Sequence, residues 1–164
     1  MNQELAAELR RRAETDQTAR RHWLATGEVG DLPQIDAGNT AWLKAILTEY
    51  GWPGISFVGE QGAEDAWLLA QHADQDVPFQ KEALKLLRDA VSTGDAPPRH
   101  LAYLTDRVLV ADGQPQMYGT QYTHDADGTN LRPQPIADPE RLDERRTAMS
   151  LEPHAEYDER MREG

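Results

Sequence analysis

The clearest candidate for chemistry is the segment WLLAQHADQD at positions 67–76, where an apolar stretch precedes Gln71, His72 and Asp74. A histidine near a carboxylate is typical of a general base, because the carboxylate fixes the ring tautomer and stabilises the imidazolium. Two interpretations are open. Either these groups line a reactive pocket, or His72 bonds a terminal carbonyl of the helix while Asp74 faces water.

Two later segments hold side chains that complement a histidine base. Asp106 and Arg107 lie in the motif LAYLTDRV, and Tyr118 and Gln121 lie in MYGTQYT. Asp74 or Asp106 could orient His72, and Arg107 or Arg20 could hold an anionic substrate group. Tyr118 and Gln121 are predicted to lie on a strand and to orient the substrate or stabilise developing charge.

Asp16 and Arg20 interrupt the apolar face of a long helix predicted over residues 2–26. Their i,i+4 spacing is that of neighbouring side chains on a helix, so one interpretation is a surface ion pair. The other is a polar patch that faces the interior, where pairing offsets the cost of desolvation. The apolar stripe itself is predicted to include Leu5, Leu9, Ala13, Trp23 and Leu24.

These observations predict a small-molecule enzyme in which His72 and Asp106 are catalytic. The expected reaction is proton transfer, hydrolysis or cyclisation on a small polar, anionic substrate, so the enzyme would be a hydrolase, isomerase or cyclase. Covalent catalysis is disfavoured, because the chain has no cysteine and Ser56 lacks the spacing of a nucleophile elbow. The residues predicted to bind the substrate are Gln71, Asp74, Arg107, Tyr118, Gln121, Asp16 and Arg20.

No metal or organic cofactor is predicted. The five histidines never form an i,i+4 helical pair. His72 and Asp74 would lie about 200° apart around a helix, too far to share one ion. The motif DADGTN at positions 125–130 favours a turn over a calcium loop, because it lacks the distal glutamate.

A non-catalytic binding module is the alternative function. The chain carries a net charge of −12, so its surface could dock a protein partner or neutralise a basic one, as an immunity-type protein does. An exposed hairpin edge could add a strand to such a partner. A homodimer through the terminal helices also stays open. Convergence of the polar side chains in one pocket would favour the enzyme, whereas scattered caps and surface pairs would favour the module.

Composition narrows the classes of partner. With 164 residues the chain fits one domain spanning 1–164, and its acidity disfavours nucleic acid and anionic membrane surfaces. No run approaches the roughly 18 apolar residues of a membrane span. The charged N-terminal segment has no apolar signal region, so a cytoplasmic location is expected.

Hydrophobic periodicity predicts a mainly α protein, an irregular bundle of five to seven helices with one β-hairpin packed on it. The hairpin is expected at about 116–136, with its turn near Asp127 and Gly128. The segment 108–112 could end a helix or start a strand. A glycine-rich connection is expected over 51–62. Helices are predicted over 2–26, from about 36–40 to 50, about 63–74, 76–94, from 97 onwards, and in two short pieces split by Pro153 within 138–162.

Several polar motifs give a resemblance over nearly the whole chain. They are DQxxR (16–20), GWP and SxVG (51–59), WLLxQHAD with FQ (67–80), LAYLTDRV (101–108), PQxYGTQ (115–121), and IxDP with RR (136–146). The combination resembles an uncharacterised bacterial family of short proteins, a domain of unknown function. The resemblance implies no particular reaction. It does imply that polar residues, more than core residues, characterise the family.

Overall fold

Seven α-helices and one short β-hairpin form the described part of the chain, residues 1–163 of a computed structural model. The predicted mainly helical fold with one hairpin is confirmed. The chain divides into two compact units, residues 1–96 and residues 97–164. The single domain expected over 1–164 stays a prediction.

Four helices form the first unit: α1 (Gln3–Thr26), α2 (Leu32–Tyr50), α3 (Ile55–Gln71) and α4 (Val77–Ser92). Their inward faces remove apolar side chains from water, which is the main favourable term in folding. The largest apolar side chains that are fully buried in this unit are Leu9, Leu43, Leu69, Phe79 and Leu87.

Local signals set the ends of these helices. The Asn2 side chain accepts a hydrogen bond from the Leu5 amide and starts α1, and Gly27 ends that helix with a φ of 75°. A left-handed residue at a helix end is usually glycine, because glycine has no Cβ to clash. Asp76 caps α4 by accepting from the Phe79 amide, so the predicted start of that helix is confirmed.

Two helices begin earlier than predicted. α2 begins at Leu32, because Pro33 occupies its first turn, where proline is favoured, and is not a loop residue. α3 begins at Ile55, within the supposed glycine-rich connection, and Gly59 interrupts it with a φ of 79°. The carboxylate of Asp95 holds this start by accepting from the Ser56 amide at 2.7 Å.

The C-terminal end of α1 also departs from the prediction. Trp23 is 41% exposed and Leu24 is 79% exposed, so neither belongs to the buried stripe. The buried face of α1 consists of Leu5, Leu9, Ala13 and Asp16. The apolar face of this helix therefore ends on a buried carboxylate.

The second unit contains α5 (Pro98–Ala111), the strands β1 (Tyr122–Thr123) and β2 (Arg132–Pro133), α6 (Leu142–Ala148) and α7 (His154–Glu163). A 3₁₀ turn at Pro139–Arg141 leads into α6. Because α5 continues to Ala111, the ambiguous segment 108–112 is the end of a helix. No helix within residues 1–163 is long and apolar enough to cross a membrane.

The hairpin is confirmed, but its strands are short. Tyr122 pairs with Pro133 and Thr123 pairs with Arg132 in antiparallel register. Gly128 has a φ of 79° and donates its amide hydrogen to the Asp125 carbonyl, which closes the turn near the predicted position. Residues 118–121 precede β1 and form a loop, so their predicted strand conformation is wrong.

Candidate active site

A fully buried carboxylate on α1, Asp16, forms the centre of the candidate site. Its two oxygens lie 2.9 and 3.0 Å from Nδ1 of His72 at the end of α3. Gln17 donates to Oδ2 at 2.9 Å, and Arg20 Nε lies 3.3 Å from Oδ1. Of the two interpretations of Asp16 and Arg20, the polar patch facing the interior is therefore the one found.

The hydrogen bonds fix which His72 nitrogen carries the proton. Burial by itself raises the pKa of Asp16, but the hydrogen bond and charge of His72, with Gln17 and Arg20, outweigh it and lower the pKa. Asp16 is therefore an acceptor with no proton of its own. Two carboxylate oxygens at hydrogen-bond distance from Nδ1 require that this nitrogen donates, which leaves the lone pair of the neutral ring on Nε2.

The second ring nitrogen of His72 is available for chemistry. The side chain of His72 is 15% exposed, whereas the side chain of Asp16 is fully buried. Within residues 1–163, Nε2 has no hydrogen-bond partner. Asp16 and His72, the dyad from here on, therefore combine an orienting carboxylate with an unoccupied basic nitrogen, which is the geometry of general acid–base catalysis.

Arg20 joins the dyad to a second carboxylate. Its Nη2 donates to Asp36 in the first turns of α2 at 2.6 Å, while Nε lies beside Asp16 and 3.0 Å from His72 Nδ1. Because Nδ1 carries a proton, the Nε hydrogen of Arg20 is directed to Asp16. Burial raises the pKa of Asp36, and the charge and hydrogen bond of Arg20 oppose this effect. Arg20 thus ties the dyad to α2.

His72 is the C-cap residue of α3 through its backbone amide, but the side chain that caps the last carbonyls is that of Gln80. Nε2 of the buried Gln80 donates to the Ala70 and Gln71 carbonyls at 3.2 and 3.1 Å, and lies 3.3 Å from Asp74 Oδ1. The His72 side chain bonds Asp16 instead of a terminal carbonyl, so the capping interpretation is wrong. Gln71 is itself buried and Asp74 exposed.

The other predicted site residues lie in the second unit, where Asp106 organises the loop 117–120. The carboxylate is fully buried and accepts from the amides of Met117 (2.7 Å), Tyr118 (3.0 Å) and Thr120 (3.0 Å), and from the Thr120 hydroxyl (2.9 Å). Burial raises the pKa of Asp106, and these hydrogen bonds oppose the effect. The contacts favour a structural role for this carboxylate.

The carbonyls of the same loop are also bound. Arg145 Nε donates to the Met117 carbonyl at 2.7 Å, and Arg146 Nη1 donates to the Tyr118 carbonyl at 2.7 Å. The Tyr157 hydroxyl donates to the Thr120 carbonyl at 3.0 Å. With donors and acceptors on both sides, the backbone that carries Tyr118 is held in one conformation.

Arg107 and Gln121 approach each other beside this loop. Arg107 Nη1 lies 3.4 Å from Gln121 Oε1, and Gln121 Nε2 donates to the Thr120 hydroxyl at 3.1 Å. The buried Gln116 side chain holds Gln121 by accepting from its amide and donating to its carbonyl, each at 2.9 Å. The second unit therefore collects Asp106, Arg107, Tyr118 and Gln121 around one loop.

Sequence reasoning missed several residues that support the two clusters. Asp36 and Gln17 are absent from the predicted site residues. Spacing gave no sign that Arg146 is fully buried, because a buried arginine cannot be told from a surface arginine in a charged helical segment, although Arg146 is part of the RR motif of the resemblance. Gln80 and Gln116 gave one available sign, since both fall inside the motifs that carry the resemblance. Tyr157 gave none.

Among residues 1–163, no three histidine or carboxylate side chains are placed to hold a metal ion. The family model of DUF6624, a family of unknown function, matches residues 3–163. The chain belongs to this family. Comparison with curated proteins and with solved structures found no match. Membership therefore confirms the predicted resemblance to an uncharacterised family, while its bacterial origin and its recurring motifs stay predictions.

Proposed function

We propose that the protein is an enzyme that uses the dyad for general acid–base catalysis on a small polar molecule. His72 Nε2 removes a proton from the substrate or from a water molecule, and Asp16 stabilises the imidazolium that forms. The imidazolium then returns the proton to a leaving group or to a second carbon. Hydrolysis, isomerisation and cyclisation all follow this sequence, and none of its steps draws on a metal or organic cofactor.

One observation carries the proposal: a fully buried carboxylate holds Nδ1 of a partly exposed histidine whose Nε2 has no partner within residues 1–163. A histidine needed only for stability would use both ring nitrogens or bury the ring. Enclosing Asp16 is costly unless charged partners offset the desolvation, as His72 and Arg20 do. The arrangement is suited to holding an imidazole in one tautomer.

We propose that Arg107, Tyr118 and Gln121 bind a ligand within the second unit, with Asp106 as the residue that positions their loop. Gln71 and Asp74, at the end of α3, are assigned to the same role near His72. Arg20 is assigned to positioning as well as binding, because two of its nitrogens already bond Asp16 and Asp36. A cytoplasmic location and a bacterial source complete the proposal.

A solvent-exchange screen tests the catalytic role. Purified protein is incubated in D₂O with a defined mixture of organic acids, amino acids, lactones and phosphate esters, and proton NMR follows each compound. The wild type should convert or deuterate at least one compound, and His72→Gln should slow this by about 10²–10⁴-fold. His124→Gln, which changes an exposed histidine, should leave the rate unchanged.

A chemical probe of the ring gives a test that needs no substrate. Diethyl pyrocarbonate acylates an unprotonated imidazole nitrogen, and peptide mass spectrometry locates the product. His72 should be acylated in the wild type and at a different rate in Asp16→Asn, because the carboxylate that holds Nδ1–H and fixes the ring tautomer is lost. Equal rates at His72 in both proteins, together with conversion that persists in His72→Gln, would refute the dyad as the catalytic group.

A second candidate function, protein binding, is favoured by the apolar end of α1. Trp23, Leu24 and Val29 are 41%, 79% and 47% exposed, and exposed apolar patches often mark interaction sites. Strand addition has less support, because β1 and β2 contain two residues each.

Sedimentation of the wild type and of a Trp23→Ser, Leu24→Ser double variant tests this candidate. An assembly that the substitutions dissolve would support a homodimer through this end. A monomer in both proteins would exclude self-association through this end. Protein binding would then have to be tested by crosslinking to a basic protein partner.

A further inference from the structure

A groove of about 390 Å³ runs between α1 and α3 beside the dyad. Its lining is mostly polar and includes Arg10, Glu14, Gln17 and Arg21 from α1, and Asp65 and Leu68 from α3. The volume is within the range of small-ligand sites. All of these residues belong to the first unit.

Two residues link the lining of the groove to the dyad. Gln17 lines the groove and donates to Asp16 Oδ2 at 2.9 Å. Leu68 lies four residues before His72, one turn away on the same side of α3. A molecule in the groove would therefore reach toward the catalytic pair.

Asp65 gives one end of the groove an unsatisfied acceptor. The residue is 3% exposed, and its Oδ1 accepts from Gln61 at 3.0 Å and from Arg10 at 3.3 Å. Its buried Oδ2 has no hydrogen-bond partner among residues 1–163. A buried polar atom without a partner costs free energy, and in native proteins it calls for an explanation such as a bound ligand. Burial also raises the pKa of Asp65, as expected for a carboxylate that lacks a full set of donors.

Arg21 gives the other end an available cation. Its guanidinium donates to the Thr18 hydroxyl at 3.0 Å, and it forms no ion pair with any carboxylate of residues 1–163. Most of the other arginines on α1 are paired, Arg10 and Arg12 among them. In a chain with a net charge of −12, an unpaired arginine beside a groove is a natural anchor for an anion.

The two ends are separated by the length of a short extended molecule. Arg10, beside Asp65, and Arg21 are eleven residues apart on one helix, which corresponds to about 16 Å along its axis and nearly the same face. The side chain of Arg10 is half exposed, and its pair with the exposed Glu14 is a surface pair of low strength, whereas the carboxylate of Asp65 is buried and needs a cation beside it. A ligand cation can therefore take the place of Arg10 at Asp65.

We propose that the groove binds an extended zwitterion such as a short peptide, with its ammonium group at Asp65 and its carboxylate at Arg21. This inference rests on the proposed function only in naming the groove as the substrate site of the dyad. Binding itself follows from the groove and its two charged ends. A chain of four residues spans at most about 14 Å, and the long side chain of Arg21 can reach over the remaining distance of about 2 Å.

Tetraglycine is the probe, and ¹⁵N–¹H correlation spectra of the full chain are the readout. Millimolar tetraglycine should shift the amides of Ala13, Thr18 and Leu68 in a saturable way. Tetraglycine with an acetylated N-terminus and tetraglycine with an amidated C-terminus should each bind about tenfold more weakly, since each loses one charge-assisted contact.

Variants assign the two ends. Arg21→Gln should weaken the binding of tetraglycine about tenfold, but it should not change the binding of the amidated peptide, which has no carboxylate to lose. Asp65→Asn should likewise weaken the binding of tetraglycine about tenfold and leave the binding of the acetylated peptide unchanged. Arg88→Gln, an exposed arginine of α4, should change nothing. Absence of saturable shifts, or shifts indifferent to blocking either terminus, would overturn the proposal. His72→Gln should still bind the peptide, because His72 is not part of the groove lining. If the wild type binds tetraglycine but converts no compound of the solvent-exchange screen, the proposed catalysis fails and the groove proposal stands.

Discussion

Asp16 and Asp106 are both fully buried carboxylates, yet their surroundings shift their pKa values in opposite directions. Asp16 lies against a histidine and an arginine, and its pKa is lowered although burial opposes this. Asp106 accepts hydrogen bonds only from neutral backbone amides and one hydroxyl, and burial prevails, so its pKa is raised. At equal burial, charged partners therefore decide the direction of the shift.

The difference separates two uses of a buried carboxylate. Both oxygens of Asp106 accept hydrogen bonds from the loop 117–120, so this carboxylate has no acceptor position left for a substrate. Asp16 holds a partly exposed histidine whose Nε2 has no hydrogen-bond partner within residues 1–163. Asp106 therefore stabilises a loop, whereas Asp16 orients the ring of His72. For this reason the proposed chemistry is assigned to His72 and Asp16.

Asp106→Ala gives the largest expected loss of stability. It leaves three amides and one hydroxyl in the protein interior without an acceptor, and such groups cost about 1–3 kcal/mol each before relaxation. We expect the free energy of unfolding to fall by about 4 kcal/mol, measured by urea denaturation. Asp89→Ala, which removes an exposed carboxylate of α4, is the control. If Asp106→Ala does not fold, Asp106→Asn, which retains one acceptor, gives a smaller loss of the same origin.

Asp16→Asn tests the other side of the comparison. It removes the charge that His72 and Arg20 share, and breaking a buried ion pair costs about 3 kcal/mol at neutral pH. Urea denaturation at pH 7 measures this loss. A change within about 0.5 kcal/mol of the wild type, as at a surface site, would show that the pairs at Asp16 contribute nothing to folding.

Sequence patterns predict the helices and include His72, Asp16 and Arg20 among the site residues. They do not predict that these three side chains contact one another. Hydrophobic spacing indicates which face of a helix is buried, and Asp16 was noticed because it interrupts that spacing. Its partner lies 56 residues away, in a contact that only the packing of α1 on α3 creates. The predicted carboxylate for His72 was accordingly a local one, Asp74, or a plausible distant one, Asp106.

The missed boundaries have local physical causes. Glycine and proline were interpreted as loop residues at 33 and 54–62, although proline suits a first helical turn and Gly59 interrupts a helix without ending it. The predicted strand at 118–121 failed for another reason. There the backbone bonds to side chains of Asp106, Arg146 and Tyr157, and no pattern of period two can reveal such partners.

Gly119→Ala tests how firmly the loop is held in the second unit. Gly119 has a φ of 68°, and an added Cβ would lie 2.7 Å from the His154 ring. Left-handed strain and overpacking together should lower the unfolding free energy by about 2 kcal/mol. Gly128→Ala is the matched control, because its φ is 79° and nothing lies within 4 Å, so it should lose only the strain of about 1 kcal/mol. Equal losses in the two variants would mean that the loop can move away from His154.

The smallest effect, and the sharpest test of the comparison, is the pH dependence of the two Asp→Asn losses. Because the pKa of Asp16 is lower in the folded than in the unfolded chain, its stabilisation is present above the unfolded value, about 3.9, and is lost as pH falls through the folded value. The pKa of Asp106 is raised by folding, so its contribution is fully present below about 3.9 and declines as pH rises through the folded value.

The loss caused by Asp16→Asn should therefore grow as pH rises through the acid range, whereas the loss caused by Asp106→Asn should shrink. Urea denaturation of the wild type and both variants at a series of pH values gives the two slopes, and the subtraction cancels groups common to all three proteins. Slopes of the same sign would show that charged partners do not distinguish the two carboxylates. The assignment of Asp16 as the permanently ionised partner of His72 would then fail, and with it the tautomer that leaves Nε2 free to accept a proton.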